Sequence, residues 1–175
     1  MTDQFATDGK SGVIVSRIDP TTGDNLQFLG PCFKPGTQVF VENNGKWVYC
    51  KLPAITQIGS AIFIDPTTWT GVLATTTAAA IATGLQYPIG FAPTAASVGD
   101  YGWLQTSGVV DNVYVGASCV RNVALNTTAT GGMLDDDGTS GAIVLSGIVI
   151  TTTRAASNGV APGWAQGCSV SSQHA

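Results

Sequence analysis

With 175 residues and a formal net charge of −4, the chain is long enough to bury one hydrophobic core, and its seven basic residues form no cluster. Direct binding to nucleic acid is therefore disfavoured. Charged residues make up only 10% of the chain, against about 25% in a typical domain, so Ala, Gly, Ser and Thr must cover much of the surface. Such a surface favours close contact with other proteins.

The first twelve residues are polar and contain glycine, which predicts a flexible N-terminal arm over residues 1–12 and a single β domain over 13–154. We expect no export signal, because no basic stretch is followed by an apolar one. The longest apolar run, 141–150, has ten residues, whereas a bilayer needs about 20. No contact with a membrane is predicted.

The clearest predicted element is a β-hairpin centred on Asn44-Gly45. An Asn-Gly pair supplies the positive φ angles of a tight hairpin turn. On each side of the pair, large apolar residues alternate with other residues, as they do in half-buried strands. These residues are Val39, Val41, Trp47 and Tyr49.

The tetrapeptide Asp-Pro-Thr-Thr occurs at 19–22 and again at 65–68, each time between apolar runs. Proline fixes φ at the second turn position, and aspartate can accept a hydrogen bond from the backbone two residues on. Both copies therefore predict turns, and we attribute the repeat to turn chemistry rather than to duplication.

Downstream, short apolar segments alternate with Gly, Asp, Asn and Ser clusters, and strong helix formers are scarce, with one Glu and four Lys in the chain. This composition predicts an all-β fold, a compact antiparallel β-sandwich or barrel that is jelly-roll-like, with an extended N-terminal arm and a C-terminal tail. Gly99 and Gly102 predict a tight turn or bulge. In the strand that follows, one alternating set over 103–106 would face the core and the other a partner.

Residues 155–175 lack a periodic pattern and predict an irregular C-terminal tail. Within it, Trp164 is expected to dock either on the chain's own core or on a neighbouring subunit. The only histidine, His174, lies in this tail, so Ser-His-Asp and Cys-His catalysis are disfavoured. Nucleotide-binding glycine motifs are also absent from the sequence, and we predict neither a cofactor nor an enzymatic activity.

The stretch GGMLDDDGTSG, 131–141, places Asp135, Asp136 and Asp137 in a glycine-rich loop. An EF-hand is excluded, because Met133 and Val144 would fall at ligand positions and offer no side-chain oxygen. We interpret the loop as a hairpin turn with a solvated tip, and a looser cation site built from Asp135, Asp137 and carbonyl groups stays open. A catalytic carboxylate pair, with Asp100 and Asp111 as further candidates, is disfavoured because solvated loop aspartates are far commoner. No catalytic, cofactor-binding or metal-binding residue is assigned.

The cysteines are Cys32, Cys50, Cys119 and Cys168, which are widely separated and lack zinc-ligand spacing. We expect buried or inert thiols, and a disulfide such as Cys119 with Cys168 stays open. The sequence NTT at 126–128 matches a glycosylation acceptor, but we interpret it as the end of a strand.

Three segments, YPIGFAPTAASVGDYGWLQTSG, NVALNTTATGGMLDDDG and LSGIVITTT, carry a family resemblance. Through them, residues 71–153 resemble the capsid cement, or head decoration, proteins of tailed bacteriophages. The resemblance implies a structural virion protein, made in the host bacterial cytoplasm, that binds the outer surface of the capsid. Its implied partners are the major capsid protein and further copies of itself, as a homodimer or homotrimer. The alternative is a tail-associated or receptor-binding β-module that recognises glycan through Trp and Asp side chains.

Overall fold

The computed structural model describes residues 18–21, 31–41, 44–78, 87–138 and 140–173, with side chains up to Cys168. The described chain is all-β, as the composition predicts, apart from the helical residues 76–78. The arm over 1–12 and His174 lie outside the described residues. The strands are β1 (Ile18–Asp19), β2 (Gln38–Val41), β3 (Gly45–Lys51), β4 (Ala61–Ile64), β5 (Gly71–Leu73), β6 (Ile89–Phe91), β7 (Tyr101–Val115), β8 (Leu125–Thr127), β9 (Leu134–Asp135), β10 (Ile143–Ile150) and β11 (Gly159–Gln173).

Strand β7 pairs with five of the other ten described strands, more than any other strand does. It runs for 15 residues, a length of roughly 50 Å in extended backbone. Its first part pairs with β1 and β3 and meets β6 at Gln105, and its second part pairs with β11 and, at Val115, with β9. Between the two parts Gly108 has a φ of 97°, a conformation that glycine adopts at little cost. Gly108 thus lies where β7 passes from one group of paired strands to the other.

The second part of β7 closes a ring of strands that we call the barrel. Pairing runs from β7 to β11, β10, β8, β9 and back to β7, and it is antiparallel except between β7 and β9. Buried apolar side chains fill its interior, including Val113, Leu134, Ile143 and Ile148. Because the ring closes, its strands are paired on both sides, which protects their edges.

The remaining strands, β1 to β6, form the N-terminal half together with the first part of β7. The predicted hairpin is present as β2 and β3, with Val41 opposite Gly45 and a left-handed φ of 59° at Asn44. Gly45 is already part of β3. All four alternating residues of the hairpin lie in one buried cluster, with Val39 and Val41 from β2 and Trp47 and Tyr49 from β3.

The prediction that residues 103–106 present one set of side chains to a partner is wrong, because all four are buried. Trp103 packs with Val39 and Tyr49 on one face of the sheet. Leu104 packs on the other face in a separate cluster with Val48 and Ile62. Both faces of this part of β7 are therefore covered by other elements of the same chain. The alternation of residues in the sequence does not show that both faces are buried.

The prediction of an irregular C-terminal tail is also wrong for 159–173, which form the 15-residue strand β11 between β7 and β10. Its inward positions do alternate, but they hold small residues such as Ala161, Gly163 and Ala165. At Gly163 the small residue is required, because a Cβ there would lie 2.8 Å from Cγ2 of Val113 and 2.9 Å from the carbonyl oxygen of Val149. Buried and exposed residues therefore alternate along β11 as in other strands, but the buried ones are not the large apolar residues from which a strand is usually predicted.

The two Asp-Pro-Thr-Thr segments are used differently. Asp65 forms the predicted turn, since its Oδ1 accepts hydrogen bonds from the Thr67 N–H at 2.8 Å and the Thr67 hydroxyl at 2.7 Å. Those bonds lower the pKa of Asp65 to about 2. In the first segment Asp19 is instead buried, and its Oδ2 accepts hydrogen bonds from the Tyr49 hydroxyl and from the Cys32 N–H at 3.2 Å.

We predict that Tyr49→Phe lowers the free energy of unfolding at pH 7 by about 1–3 kcal/mol, because it removes the hydroxyl donor of a buried carboxylate. Burial and the bond to Asp19 also raise the pKa of Tyr49. A raised phenol pKa adds stability below the unfolded value near 10 and loses it as the pH rises further. The decline in stability above pH 10 should therefore be smaller in the variant than in the wild type.

Urea unfolding at pH 7 and in alkaline solution measures both effects. The matched control is Tyr114→Phe, because the Tyr114 hydroxyl makes no hydrogen bond with a described residue. Equal losses from the two substitutions would contradict the role given to the Tyr49–Asp19 contact.

Candidate functional site

An open groove of about 420 Å³ lies on the outer face of the barrel. It is lined by the loop residues 122–124, by residues 144–149 of β10, and by Trp164 and Gln166 of β11. Its volume is in the range of small-molecule sites in proteins. No acidic or basic residue is among the described residues that line it.

A bulge shapes the floor of this groove. The pairing of β10 with β11 shifts between Ser146 and Ile148, where Gly147 has a φ of 78° and Gly167 a φ of 60°. The Cys168 thiol donates a hydrogen bond to the Gly147 carbonyl at 3.0 Å. Bulges bend a strand and change the direction of its side chains, and here Trp164 and Gln166 both point outwards.

Trp164 lies on the outside of the barrel, where it pairs with Val149 of β10 and Val109 of β7. Its side chain is 40% exposed, whereas Trp47 and Trp103 are 4% and 1% exposed. Of the two predicted positions, docking on the chain's own core is not found, since Trp164 is outside every buried cluster of the described chain. Docking on a neighbouring subunit stays a prediction.

A second candidate site lies where Asp135 and Asp136 come close to Cys119. One potential ligand atom of each residue lies within 4.8 Å of the other two, and the described residues contain no other such group of three. The carboxylate of Asp135 lies against Gly116, where a Cβ would overlap it. Asp137 is exposed and is not part of the group.

The electrostatics of this cluster follow from burial and like charge. Burial, the neighbouring carboxylate of Asp136 and the charge of Asp137 raise the pKa of Asp135. Burial first, and then Asp136 and Asp135, raise the pKa of the Cys119 thiol to about 12. The thiol is thus protonated at neutral pH, and a metal that used all three groups would have to displace that proton. Asp136 Oδ2 already accepts a hydrogen bond from the Val120 N–H at 3.0 Å.

The prediction of a hairpin turn over 131–141 is wrong, although the loop does connect two strands. Strands β9 and β10 do not pair with each other, because both pair with β8 and lie on its two sides. The actual hairpin joins β8 to β9, and Gly132 has a φ of 74° in its turn. Asn126, at the centre of β8, is buried and donates through Nδ2 towards the carbonyl groups of Asp135 and Asp136. Its strand assignment is confirmed.

The other candidate carboxylates are elsewhere. Asp100 is buried at the start of β7, where it accepts hydrogen bonds from the N–H groups of Ser97 at 2.9 Å and Thr21 at 3.2 Å. Asp111 is exposed on the second part of the same strand. Of the five aspartates, Asp135 and Asp136 therefore share one cluster, and the other three lie outside it. Cys119 comes close to the aspartates through the parallel pairing of β7 with β9. This pairing joins residues that are distant in sequence, so the sequence spacing did not indicate the contact.

The four cysteines are thiols, of which Cys50, Cys119 and Cys168 are buried and Cys32 is exposed. The disulfide between Cys119 and Cys168, left open by the sequence, does not form. Burial raises the pKa of Cys50 to about 12 and that of Cys168 to about 11. Thiolate is the reactive form of cysteine, so the three buried residues are expected to be inert.

Comparison with known proteins finds no match among family models, curated proteins or solved structures. Among the described residues, no helix is long and apolar enough to cross a membrane. The resemblance to capsid cement proteins is therefore unsupported by these comparisons and stays a prediction.

We predict that Gly147→Ala lowers the free energy of unfolding by about 2–4 kcal/mol, because the added methyl group meets backbone that cannot rotate away. A Cβ there would lie 2.6 Å from the Gln166 carbonyl oxygen. The matched control is Gly141→Ala, which has a similar φ of 82° but open space around the Cβ. This control should cost only about 1 kcal/mol, the penalty of the left-handed conformation alone. Equal losses in urea unfolding would contradict the close approach of β10 and β11.

We further predict that a maleimide labels one thiol of the folded chain rapidly at pH 7 and four after denaturation, because only Cys32 is exposed. Cys32→Ser should abolish the rapid labelling, and mass spectrometry counts the modified sites. Rapid modification of a second cysteine in the folded chain would contradict the burial of Cys50, Cys119 and Cys168.

Proposed function

We propose that this chain is a structural protein of a phage head that binds the outer surface of the capsid and clamps adjacent major capsid proteins, so that the DNA-filled shell is stabilised. The proposal rests on the resemblance of residues 71–153 and on the character of the protein surface. It needs no catalytic group, since its mechanism is the burial of surface at many equivalent positions.

The observation that carries the proposal is the set of large apolar side chains left exposed on the N-terminal half. Val98 is 76% exposed, Phe40 is 55% exposed and Val72 is 53% exposed, and these are the highest values among large apolar residues of the described chain. They lie on a turn and on two short strands of a protein with only 10% charged residues. Exposed apolar side chains on a weakly charged surface favour docking on another protein.

In this proposal the protein acts as a closed homo-oligomer, a dimer or a trimer, as is usual for proteins that assemble from identical copies. The alternative, a tail-associated or receptor-binding module, predicts an exposed aromatic residue beside carboxylates. The exposed Trp164 has amide and hydroxyl neighbours instead. Recognition of glycan through Trp and Asp side chains together is therefore disfavoured, and we prefer the head position.

We predict that Val98→Asp weakens binding to capsid shells that lack this protein by tenfold or more, because it places a charge in an apolar contact that excludes water. The control is Val123→Asp, an exposed position on the barrel, which should bind like the wild type. Co-sedimentation of the labelled chain with the shells measures the affinity. The proposal fails if the wild type does not bind the shells.

A further inference from the structure

The groove on the barrel has a composition that the proposed function does not use. Three exposed polar side chains line it, those of Asn122, Ser146 and Gln166. None of them makes a hydrogen bond with a described residue. Two amides and one hydroxyl thus offer both donors and acceptors to a ligand.

The ligand that such a groove selects is uncharged. Lys, Arg, Asp and Glu are missing from the described lining, so an ionic group entering the groove would lose water without gaining a counter-charge. An uncharged ligand with several hydroxyl groups would lose less, because amide and hydroxyl groups replace its water partners.

Trp164 gives the groove a flat apolar surface on which part of a ligand can stack. Its side chain lines the groove and is 40% exposed. A tryptophan at a wet surface suits ligands that are apolar on one side and polar at the edges. Sugar rings in the pyranose form have this character, since one face carries C–H groups and the rim carries hydroxyl groups.

The groove is also held in shape before any ligand arrives. Trp164 and Gln166 lie on a strand that is paired on both sides, with β7 and β10. The bulge at Gly147 determines the direction of these side chains. The hydrogen bond from the Cys168 thiol to the Gly147 carbonyl joins the bulge to β11. Sites on rigid strands position ligands more accurately than sites on loops.

We infer that this groove is a binding site for uncharged oligosaccharide, in which a sugar ring stacks on Trp164 and its hydroxyl groups bond to Asn122, Ser146 and Gln166. The inference goes beyond the proposed function and does not depend on it, because it concerns the barrel rather than the N-terminal half.

The experiment applies the biotinylated full chain to a glycan microarray that carries neutral and anionic oligosaccharides. The neutral oligosaccharide bound most strongly is then titrated into the chain by calorimetry. Trp164→Ala should weaken this binding about 30-fold, the scale expected when a central aromatic side chain is truncated. The matched control is Val72→Ala, an exposed apolar residue of the N-terminal half, which should bind like the wild type.

Asn122→Gly provides a second variant if Trp164→Ala fails to fold. Asn122 has a φ of 60°, which glycine tolerates, so the change removes the amide without backbone strain. It should weaken binding without changing the circular dichroism spectrum.

The inference is overturned if no oligosaccharide binds, if only anionic ones bind and added salt releases them, or if the variants with altered groove residues bind like the wild type. It is also overturned if Trp164→Ala abolishes binding to capsid shells while the wild type binds no oligosaccharide, because the groove is then a protein interface. Loss of capsid binding in Val98→Asp alone leaves the oligosaccharide result unaffected, so the two proposals fail separately.

Discussion

Backbone pairing along β7 is the constraint on which the rest of the described structure depends. Strands β1, β3, β6, β9 and β11 all pair with it directly. Its first part has a buried cluster on each face, and its second part supplies Val110, Val113 and Val115 to the barrel interior. The N-terminal half and the barrel therefore share one strand. A substitution that disrupts β7 is expected to destabilise both parts. Gly108, with a φ of 97°, lies between these two parts of the strand.

The sequence was sufficient for the fold class and for the elements whose signal is local. Alternation around Asn44 predicted the β2–β3 hairpin, and the preference of Asp-Pro-Thr-Thr for turns predicted the turn at Asp65. It was insufficient where structure depends on close packing of small residues. Strand β11 has Ala and Gly at its inward positions, and at Gly163 the side chain of Val113 and the backbone of Val149 leave no room for a Cβ. A hydrophobicity pattern cannot report a strand of this kind.

Both candidate sites were hidden from the sequence for a second reason, which is that their residues meet only through long-range pairing. The groove combines a loop, β10 and β11, and the acidic cluster combines Cys119 with β9. The same limit explains why the loop over 131–141 looked like a hairpin turn, since no local feature says that β9 and β10 lie on opposite sides of β8. Residues 71–153, which carry the family resemblance, also lack β11, so the barrel needs residues outside the segment that resembles cement proteins.

The central functional claim is that the chain is a repeated component of a protein shell rather than a catalyst or a unique appendage. Its weakly charged surface, its exposed apolar residues and its resemblance all favour many copies acting together. The most direct measurement is the number of copies per purified phage particle, obtained by quantitative mass spectrometry with the major capsid protein as the internal standard. The account predicts a number of the same order as that of the major capsid protein. A few copies per particle, as at a tail or portal, would contradict it.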